Sequence, residues 1–555
     1  MFEEIIQALC LVASLSAKWN AYIFLRLLPL GERFLPIIYT ASAIYVVSFV
    51  LLRWASPPKR SKRIGALLAL LCGLPSPSTP LCSLLGAVIT LLAPVFSTDF
   101  VHRARYLNRE ADLSFSRIGW VTESTAQVLI RSPFNDQGVG LSYWAEGSQE
   151  VLHTKPTNTG AATDHTAAIT LRDLEPGTQY HYNSSHQHSG SFYTRLHDER
   201  KSFSLLSTSC QKPGWPYNPL AHPLAIRGLT HLDKTIQEMK QKPEAMLFLG
   251  DFIYSDLPYP TSEYTSSYYR QLYRQVYASP SWTPLLRSIP WLHMFDDHEI
   301  INDFAPVGDM SGMFKTAIEP FMNYQQVVNP PPINVKQPTY FSFDIGDVAF
   351  FMLDNRSFRS QQPVRPGANS TAGHGVRTML GSEQLAEVKR WIKKEGQSRL
   401  LVLVSGVPFT RNWSEGNDEL DSWAGYLDER EEILELLWEA GGAVIISGDR
   451  HEHAATLFPP SASSPWPTSS AVIEFSTSPL SFFHQPWKRE YVPHPPTDIP
   501  IHHQWRGDSR FGVFDFDTFG PQPKVHFKLI VDGAESWSYT WEKCRGADVP
   551  KIWRG

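Results

Sequence analysis

Short apolar runs of strand length, most of them ending abruptly in carboxylate, histidine or cysteine, constrain this chain more than anything else in it. Ser202–Ser207, Ala245–Leu249, Trp291–Phe295, Val348–Leu353, Leu400–Val404 and Ala443–Ser447 are apolar and too short for helices. They read as strands buried on both faces. Between them, Ile226–Met239, Ser262–Tyr277, Ser382–Lys394 and Glu429–Ala440 repeat apolar residues at helical spacing. Asp428 stands before the last of these as an N-cap, and Gly441-Gly442 follows as a stop. The alternation argues an α/β core of layered sheets and helices.

The residues just past these runs carry the chemistry. Trp291-Leu-His-Met-Phe295 stops at Asp296-Asp297-His298-Glu299. Half-buried charge of that density is costly unless a cation offsets it, although one such junction alone reads equally well as an acidic surface turn. Others share the pattern: Ser207-Thr-Ser209-Cys210-Gln211, Gly250-Asp251-Phe-Ile-Tyr254-Ser-Asp256, Asp354-Asn355-Arg356 and Gly448-Asp449-Arg450-His451. An open α/β sheet builds its ligand sites at the carboxyl ends of its strands, so the set points to a convergent metal site rather than scattered surface acids.

Taken together, these motifs resemble the calcineurin-like metallophosphoesterases, and within them the alkaline phosphatase D type. That pattern runs Ser-Cys-Gln, Gly-Asp-x-x-Tyr, Asp-Asp-His-Asp/Glu, Leu-Asp-x-Arg-Ser-Tyr-Arg and Gly-Asp-x-His. Here it reads, in order, Ser209-Cys210-Gln211, Gly250-Asp251-Phe252-Ile253-Tyr254, Asp296-Asp297-His298-Glu299, Leu353-Asp354-Asn355-Arg356-Ser357-Phe358-Arg359 and Gly448-Asp449-Arg450-His451. Phe358 stands where the family usually has Tyr, and Ser255 where Glu is common. The resemblance covers Thr98–Trp541 and implies a layered αββα core.

It also implies roles. Cys210, Asp251, Tyr254 and His451 would hold a trivalent iron, a metal acidic enough to bind thiolate and phenolate near neutral pH. Asp251 would bridge to a calcium-type site completed by Asp297, Asn302 and Asp449. His298 would donate a proton or hydrogen bond to the departing oxygen, and Arg356 would grip a phosphate oxygen. Blander readings stand beside these: Tyr254 as a core ring, Cys210 as a small buried hydrophobe, and Arg359 paired with an acid. Asp296 and Glu299 are expected to support the ligands.

The N-terminal region reads as membrane-embedded. Phe34–Leu52 is charge-free and bracketed by Arg33 and Arg53; at about 1.5 Å per residue it reaches roughly 28 Å, close to a hydrocarbon core. Arg53, Lys59, Arg60, Lys62 and Arg63 follow without an acid, which points to the cytoplasmic face. A further span is expected within 64–96, most plainly Leu81–Phe96, despite Pro75, Pro77 and Pro80. One span there sends the rest of the chain to the lumenal or extracellular side, whereas a re-entrant hairpin would keep it cytoplasmic. Ile5–Ala17 reads as a span or an interfacial helix; Glu3 and Glu4 argue against a cleaved signal peptide. Sequons at Asn183, Asn355, Asn369 and Asn412 are compatible with a lumenal domain.

Between these regions lie seven short strand patterns: Arg117–Val121, Ala126–Arg131, Leu141–Trp144, Val151–Thr154, Ala167–Leu171, Gln179–Tyr182 and Ser191–Thr194. They fit a β-sandwich. Leu174-Glu-Pro-Gly-Thr-Gln-Tyr180-His-Tyr182 resembles the turn-then-strand signature of fibronectin type III modules. Of the five cysteines, Cys10, Cys72 and Cys82 are N-terminal, leaving only Cys210 and Cys544 for the rest. That is no disulfide framework, although a Cys210–Cys544 bridge stays open.

The expected organisation is a membrane region over 1–97, a β-sandwich over 98–198 and a catalytic domain over 199–545. The expected function is hydrolysis of a phosphomonoester or phosphodiester by an integral membrane enzyme. A formal charge of -5 gives no case for nucleic acid as partner. The rival is a membrane-tethered adhesion or receptor protein that has lost catalysis and binds through its β domain. It predicts missing ligands, and none of the motif positions is missing.

Overall fold

The computed structural model describes residues 2–55, 65–76, 78–107, 110–134, 138–184, 188–196, 202–306, 310–360, 377–413 and 421–543. Lys59, Arg60, Lys62, Arg63, Asn369 and Cys544 lie outside them. Two units divide the chain. One comprises Met1–Arg109, Gly214–Pro223 and Asp256–Ser262; the other comprises Glu110–Pro213, Leu224–Ser255 and Glu263–Gly555.

The first unit is helical: α1 (Phe2–Arg26), α2 (Gly31–Ala55), α3 (Ala66–Cys72) and α4 (Pro80–Leu107). Among the described residues, Phe2–Arg26, Gly31–Trp54 and Pro80–Leu107 are long and apolar enough to cross a membrane. Their inward faces meet through Ile6, Cys10, Tyr45, Leu52 and Ala87, while Val12, Trp19, Val47 and Leu84 point outward. Inside, Ser14 and Thr90 share a hydrogen bond of 2.8 Å. Two expectations shift here. The Ile5–Ala17 segment belongs to a 25-residue helix. The Leu81–Phe96 segment continues through Pro94 to Leu107, so helix occupies the beginning of the stretch expected to open the β domain. Two short segments from the catalytic half of the sequence belong to this unit. Pro258 O accepts from Gly31 N at 2.7 Å, and the Tyr217 hydroxyl donates to Asp99 at 2.7 Å.

The second unit begins with seven strands: β1 (Phe115–Val121), β2 (Ala126–Arg131), β3 (Leu141–Ala145), β4 (Leu152–His153), β5 (Thr166–Leu171), β6 (Gln179–Ser184) and β7 (Ser189–Tyr193). They form a sheet of order β1-β2-β5 and another of order β4-β3-β6-β7. Ile118, Val128, Leu141, Ile169, Tyr180 and Phe192 fill the core they share.

Beyond it come β8 (Ser202–Thr208), β9 (Ala245–Leu249), β10 (Trp291–Met294), β11 (Pro332–Asn334), β12 (Gln337–Ile345), β13 (Val348–Met352), β14 (Leu400–Val404) and β15 (Ala443–Ser447). They are followed by β16 (His453–Phe458), β17 (Val472–Thr477), β18 (Ile499–Gln504), β19 (Arg510–Asp517), β20 (Lys524–Val531) and β21 (Ala534–Glu542). The helices among them are α5 (Arg227–Glu238), α6 (Ser266–Tyr277), α7 (Pro284–Ser288), α8 (Met310–Tyr324), α9 (Gly381–Glu395) and α10 (Leu427–Glu439). One sheet runs β10-β9-β8-β19-β20-β21, the other β11-β12-β13-β14-β15-β17-β16-β18.

The period of two along a strand explains the layering. In β9, Ala245, Leu247 and Leu249 join the core between the two sheets, while Met246 and Phe248 turn to the core beneath α5 and α6. Aromatic pairs close the inter-sheet layer: Phe203 with Phe350 at 6.4 Å and Phe475 with Phe527 at 4.4 Å between ring centroids. Val388 and Trp391 of α9 and Ile433 and Leu437 of α10 cover the second sheet. The result is a mixed α/β fold of helix, sheet, sheet and helix layers. One expected detail is corrected. Tyr426, not Asp428, occupies the N-cap position of α10, and Asp428 and Glu429 lie in its first turn, where they favour the positive end of the helix dipole.

Candidate metal centre

Parallel pairing aligns β8 with β9, β9 with β10, and β13 with β14 and β15, so the carboxyl ends of these strands converge within each sheet. The chain then leaves the strands in unusual backbone conformations. Cys210, Asp251, Asp449 and His451 have φ of 62°, 55°, 75° and 56°. Left-handed backbone at four non-glycine residues is strained, and such strain clusters where side chains must be aimed. Gly250 has φ of 96°, and a Cβ there would come within 2.4 Å of Asp296 Cβ. Only glycine lets the β9 and β10 ends come this close.

Among the described residues, four groups of donor atoms each fall within 4.8 Å: Cys210, Asp251 and His451; Asp251, Asp297 and His298; Asp296, Asp297 and Asp449; and Asp297, Asp303 and Asp421. Asp251 belongs to the first two and Asp297 to the last three, so the groups are linked. The Tyr254 hydroxyl joins the first, lying 2.9 Å from Asp251 Oδ2 and 3.0 Å from His451 Nε2. Cys210 Sγ is 3.4 Å from the same carboxylate oxygen. Asn302 is exposed, in the turn that carries the chain from Asp297 to Asp303.

Arg356 on Asp296 and Asp297, and Arg450 on Asp449, offset only part of the negative charge. Asp251 Oδ1 and Asp296 Oδ2 are buried without a hydrogen-bond partner. Burial pushes the Asp251 carboxyl well above its usual range; His298 opposes this, but the Asp297, Asp296 and Glu299 charges add to it. Burial likewise raises the Cys210 thiol, with the Asp251 and Asp449 charges acting the same way. Burial raises the Tyr254 phenol too, and lowers His451 far enough to keep it neutral, as a ligand must be. Thiol, phenol, carboxylates and neutral imidazole around an orphaned oxygen fit bound cations.

Around the donors, the remaining motif residues act as wiring. Glu299 accepts from the backbone N–H of Asp251 at 2.9 Å, Phe252 at 2.5 Å and Asp296 at 2.7 Å, tying the β9 and β10 ends together. Asp354 accepts from Arg356 N at 3.0 Å and Ser357 N at 2.8 Å. Asn355 accepts from Gly406 N at 2.8 Å. Ser255 donates through its hydroxyl to Ile300 O at 2.7 Å. Phe358 packs on the inter-sheet core rather than among the donors.

Arg356 lies among carboxylates. It is fully buried; its Nε donates to Asp296, and its two terminal nitrogens reach Asp421 at 2.7 and 3.1 Å. Nη2 also lies 3.5 Å from Asp297. Its fork thus faces three carboxylates, Asp296, Asp297 and Asp421. Arg359 also pairs with Asp421, at 2.7 Å, as its blander reading had it. Asp421 itself escaped sequence reasoning. It follows no apolar run, and its partners are 62 and 65 residues away.

Comparison with known proteins agrees with this geometry. The model of the PhoD-like phosphatase family matches residues 205–519. The chain belongs to that family. Membership bears out the resemblance carried by the motifs. Alkaline phosphatase D of Bacillus subtilis (strain 168) is 25% identical over 254 residues, 38% of this chain and 42% of that protein. The chain therefore spans less than half the length of that relative. Among solved structures, that of PhoD superposes with a TM-score of 0.58 at 17% identity, covering 77% of this chain and 90% of the other. The purple acid phosphatase PPD1 of yellow lupin (Lupinus luteus) seeds gives 0.53 at 13% identity, covering 77% and 74%. At such identities the likeness is one of fold.

Proposed function

We propose that this chain is a membrane-anchored, metal-dependent hydrolase of phosphomonoesters or phosphodiesters. The observation that carries the reading is the linked set of donor groups, with Asp251 common to two of them and its Oδ1 left orphaned. Cys210, Asp251, Tyr254 and His451 would hold a trivalent iron, for which a thiol and a phenol beside a neutral imidazole are apt. Asp297, Asp449 and Asn302 would hold a calcium-type ion, with Asp251 bridging. Bound there, such a pair supplies an activated water and neutralises phosphate charge.

The chain's own groups do the rest. His298 is half-buried, with its ring 4.3 Å from that of Tyr254, and is the group that hands a proton to the departing oxygen. Arg356 acts by fixing Asp296 and Asp297 rather than by touching substrate. The fibronectin type III-like reading of the β domain is supported by its three-plus-four strand arrangement. That domain supports the catalytic one, within an order of membrane region, β-sandwich and catalytic domain near 1–97, 98–198 and 199–545. The catalytic domain is lumenal or extracellular, a reading that rests on the basic stretch from Arg53 to Arg63.

Metal analysis of the purified chain, with turnover of chromogenic phosphomonoesters and phosphodiesters, tests the enzyme. Bound metal with turnover is expected; neither after reconstitution would overturn it. In sealed vesicles, proteolysis of the region after Leu107 from the cytoplasmic side would reverse the orientation.

A further inference from the structure

Away from the metal centre, the β domain and α7 enclose a cavity of about 460 Å³, a size suited to a small organic ligand. Its lining includes Trp144, His181, Asn183, Ser191, Trp282 and Arg287. Strand register explains part of this surface. Trp144 of β3 and Ser191 of β7 both pair with His181 of β6, so the three side chains share one face. Asn183, two residues along, lies on the same face. Trp144 and His181 stack with centroids 6.0 Å apart and planes at 24°, and both are half-buried. The stacked pair puts aromatic surface in the cleft, beside hydroxyl and amide groups.

Arg287 supplies the second, independent observation. Burial pulls the pKa of its guanidinium below the ordinary value, yet an arginine stays charged. Its surroundings are the Phe115 ring at 5.6 Å, the Trp282 ring at 6.0 Å and one weak bond of 3.4 Å to Tyr277 O. Among the described residues no carboxylate pairs with it, whereas Arg270, Arg274, Arg356, Arg359 and Arg430 each have one. Arg117 and Arg510, fully buried and also without a carboxylate, give their guanidinium groups to backbone oxygens at 2.6–2.8 Å, whereas half-buried Arg287 keeps donors to spare, and the open volume beside it is where an anion fits.

We propose that this cleft binds an anionic saccharide, the apolar face of its sugar ring on Trp144 and its carboxylate or phosphate on Arg287. Stacking uses the ring's C–H face, and Asn183, Ser191 and Ser288 can bond its hydroxyls. The site shares no residue with the metal centre.

The test uses the full chain in detergent micelles, made in a host without N-glycosylation because Asn183 opens an Asn-Ser-Ser sequon. Binding of glucuronate, glucose 6-phosphonate and neutral glucose is followed by calorimetry. Saturable binding of at least one charged sugar is expected, weakened about ten-fold or more by Arg287→Gln and by Trp144→Ala but not by Asp251→Ala. Glucuronate and the phosphonate distinguish a carboxylate ligand from a phosphate one. Arg287→Lys, which keeps the charge, and Trp144→Ala keep the test valid if Arg287→Gln fails to fold. Absence of binding at about 10 mM, equal binding of glucose, or loss of binding in Asp251→Ala alone would overturn the proposal.

Discussion

Arg356 and Asp421 form a bidentate pair inside the protein, Nη1 to Oδ1 at 2.7 Å and Nη2 to Oδ2 at 3.1 Å. Asp421 also receives Arg359, and Arg356 also reaches Asp296 and Asp297. Burial alone would raise the Asp421 carboxyl, but the two arginines outweigh it and hold that carboxyl below its usual range. Three carboxylates and two guanidinium groups thus form one network on the side of the donors formed by Asp296 and Asp297. Removing one partner from such a network leaves a buried charge unmatched.

Arg356→Lys is the discriminating change. Lysine keeps the charge but cannot make the fork, so Asp296 and Asp297 lose their common anchor. The expected result is a kcat lower by about ten- to a hundred-fold with KM changed by less than about three-fold, and reduced metal content. Steady-state kinetics with a chromogenic phosphoester and metal analysis would show it. A large rise in KM at unchanged kcat would instead mark Arg356 as a substrate contact.

Glu299 is the second structural dependency. Its two oxygens serve backbone donors from both the β9 and β10 ends, and burial pushes its carboxyl up to about 8. Glu299→Ala strands those N–H groups without water to replace the acceptor. A loss of about 2–4 kcal/mol is expected, since several unmet buried donors are involved. Thermal unfolding would measure it, and metal content should fall in parallel because Asp251 and Asp296 lose their placement.

Much of this was legible in the sequence. Ala245–Leu249, Leu400–Val404 and Ala443–Ser447 coincide with observed strands because strands buried on both faces show as unbroken apolar runs. The strand ends marked Cys210, Asp251, Asp297 and Asp449 for the same reason: the run stops where the chemistry starts. β18 and β21 gave no such signal, being half-exposed and built from mixed residues such as His502, His503, Ser536 and Thr540. α4 runs past its expected end because the apolar run stops at Phe96, before Ser97-Thr98-Asp99, while the helix continues to Leu107. The pairing of Arg356 with Asp421 gave no signal because it is set by tertiary folding across 65 residues.

Glu474 gives a pH prediction away from the donors. It is fully buried on β17, accepting from Phe409 N, Thr410 N and Ser447 Oγ, and burial raises it from 4.5 to about 7 despite these bonds. A carboxyl whose folded pKa exceeds its unfolded value binds its proton more tightly in the native state. Its contribution is present below about pH 4.5 and is lost as pH rises through about 7, by at most about 3 kcal/mol. Thermal midpoints of wild type should therefore carry a falling component between about pH 5 and 7 that Glu474→Gln lacks. Equal slopes in the two proteins would show that Glu474 is ionised throughout.

Asp251 offers the sharpest test of the paired site, because it alone connects the cysteine-containing group to the Asp297–His298 group. If it bridges, Asp251→Ala removes a ligand from both ions at once, and both should be depleted on purification. If it serves only the group containing Cys210 and His451, iron should fall while the oxygen-ligated ion stays. Asp251→Asn separates charge from shape: it keeps one oxygen donor and the side-chain volume but not the bridging carboxylate. The expectation is loss of both ions and of more than about a thousand-fold in turnover for the alanine variant, with partial iron retention in the asparagine variant. Quantifying both metals in each variant, beside kcat on a chromogenic ester, decides it. Near-normal activity in Asp251→Ala would remove the bridge from the mechanism altogether.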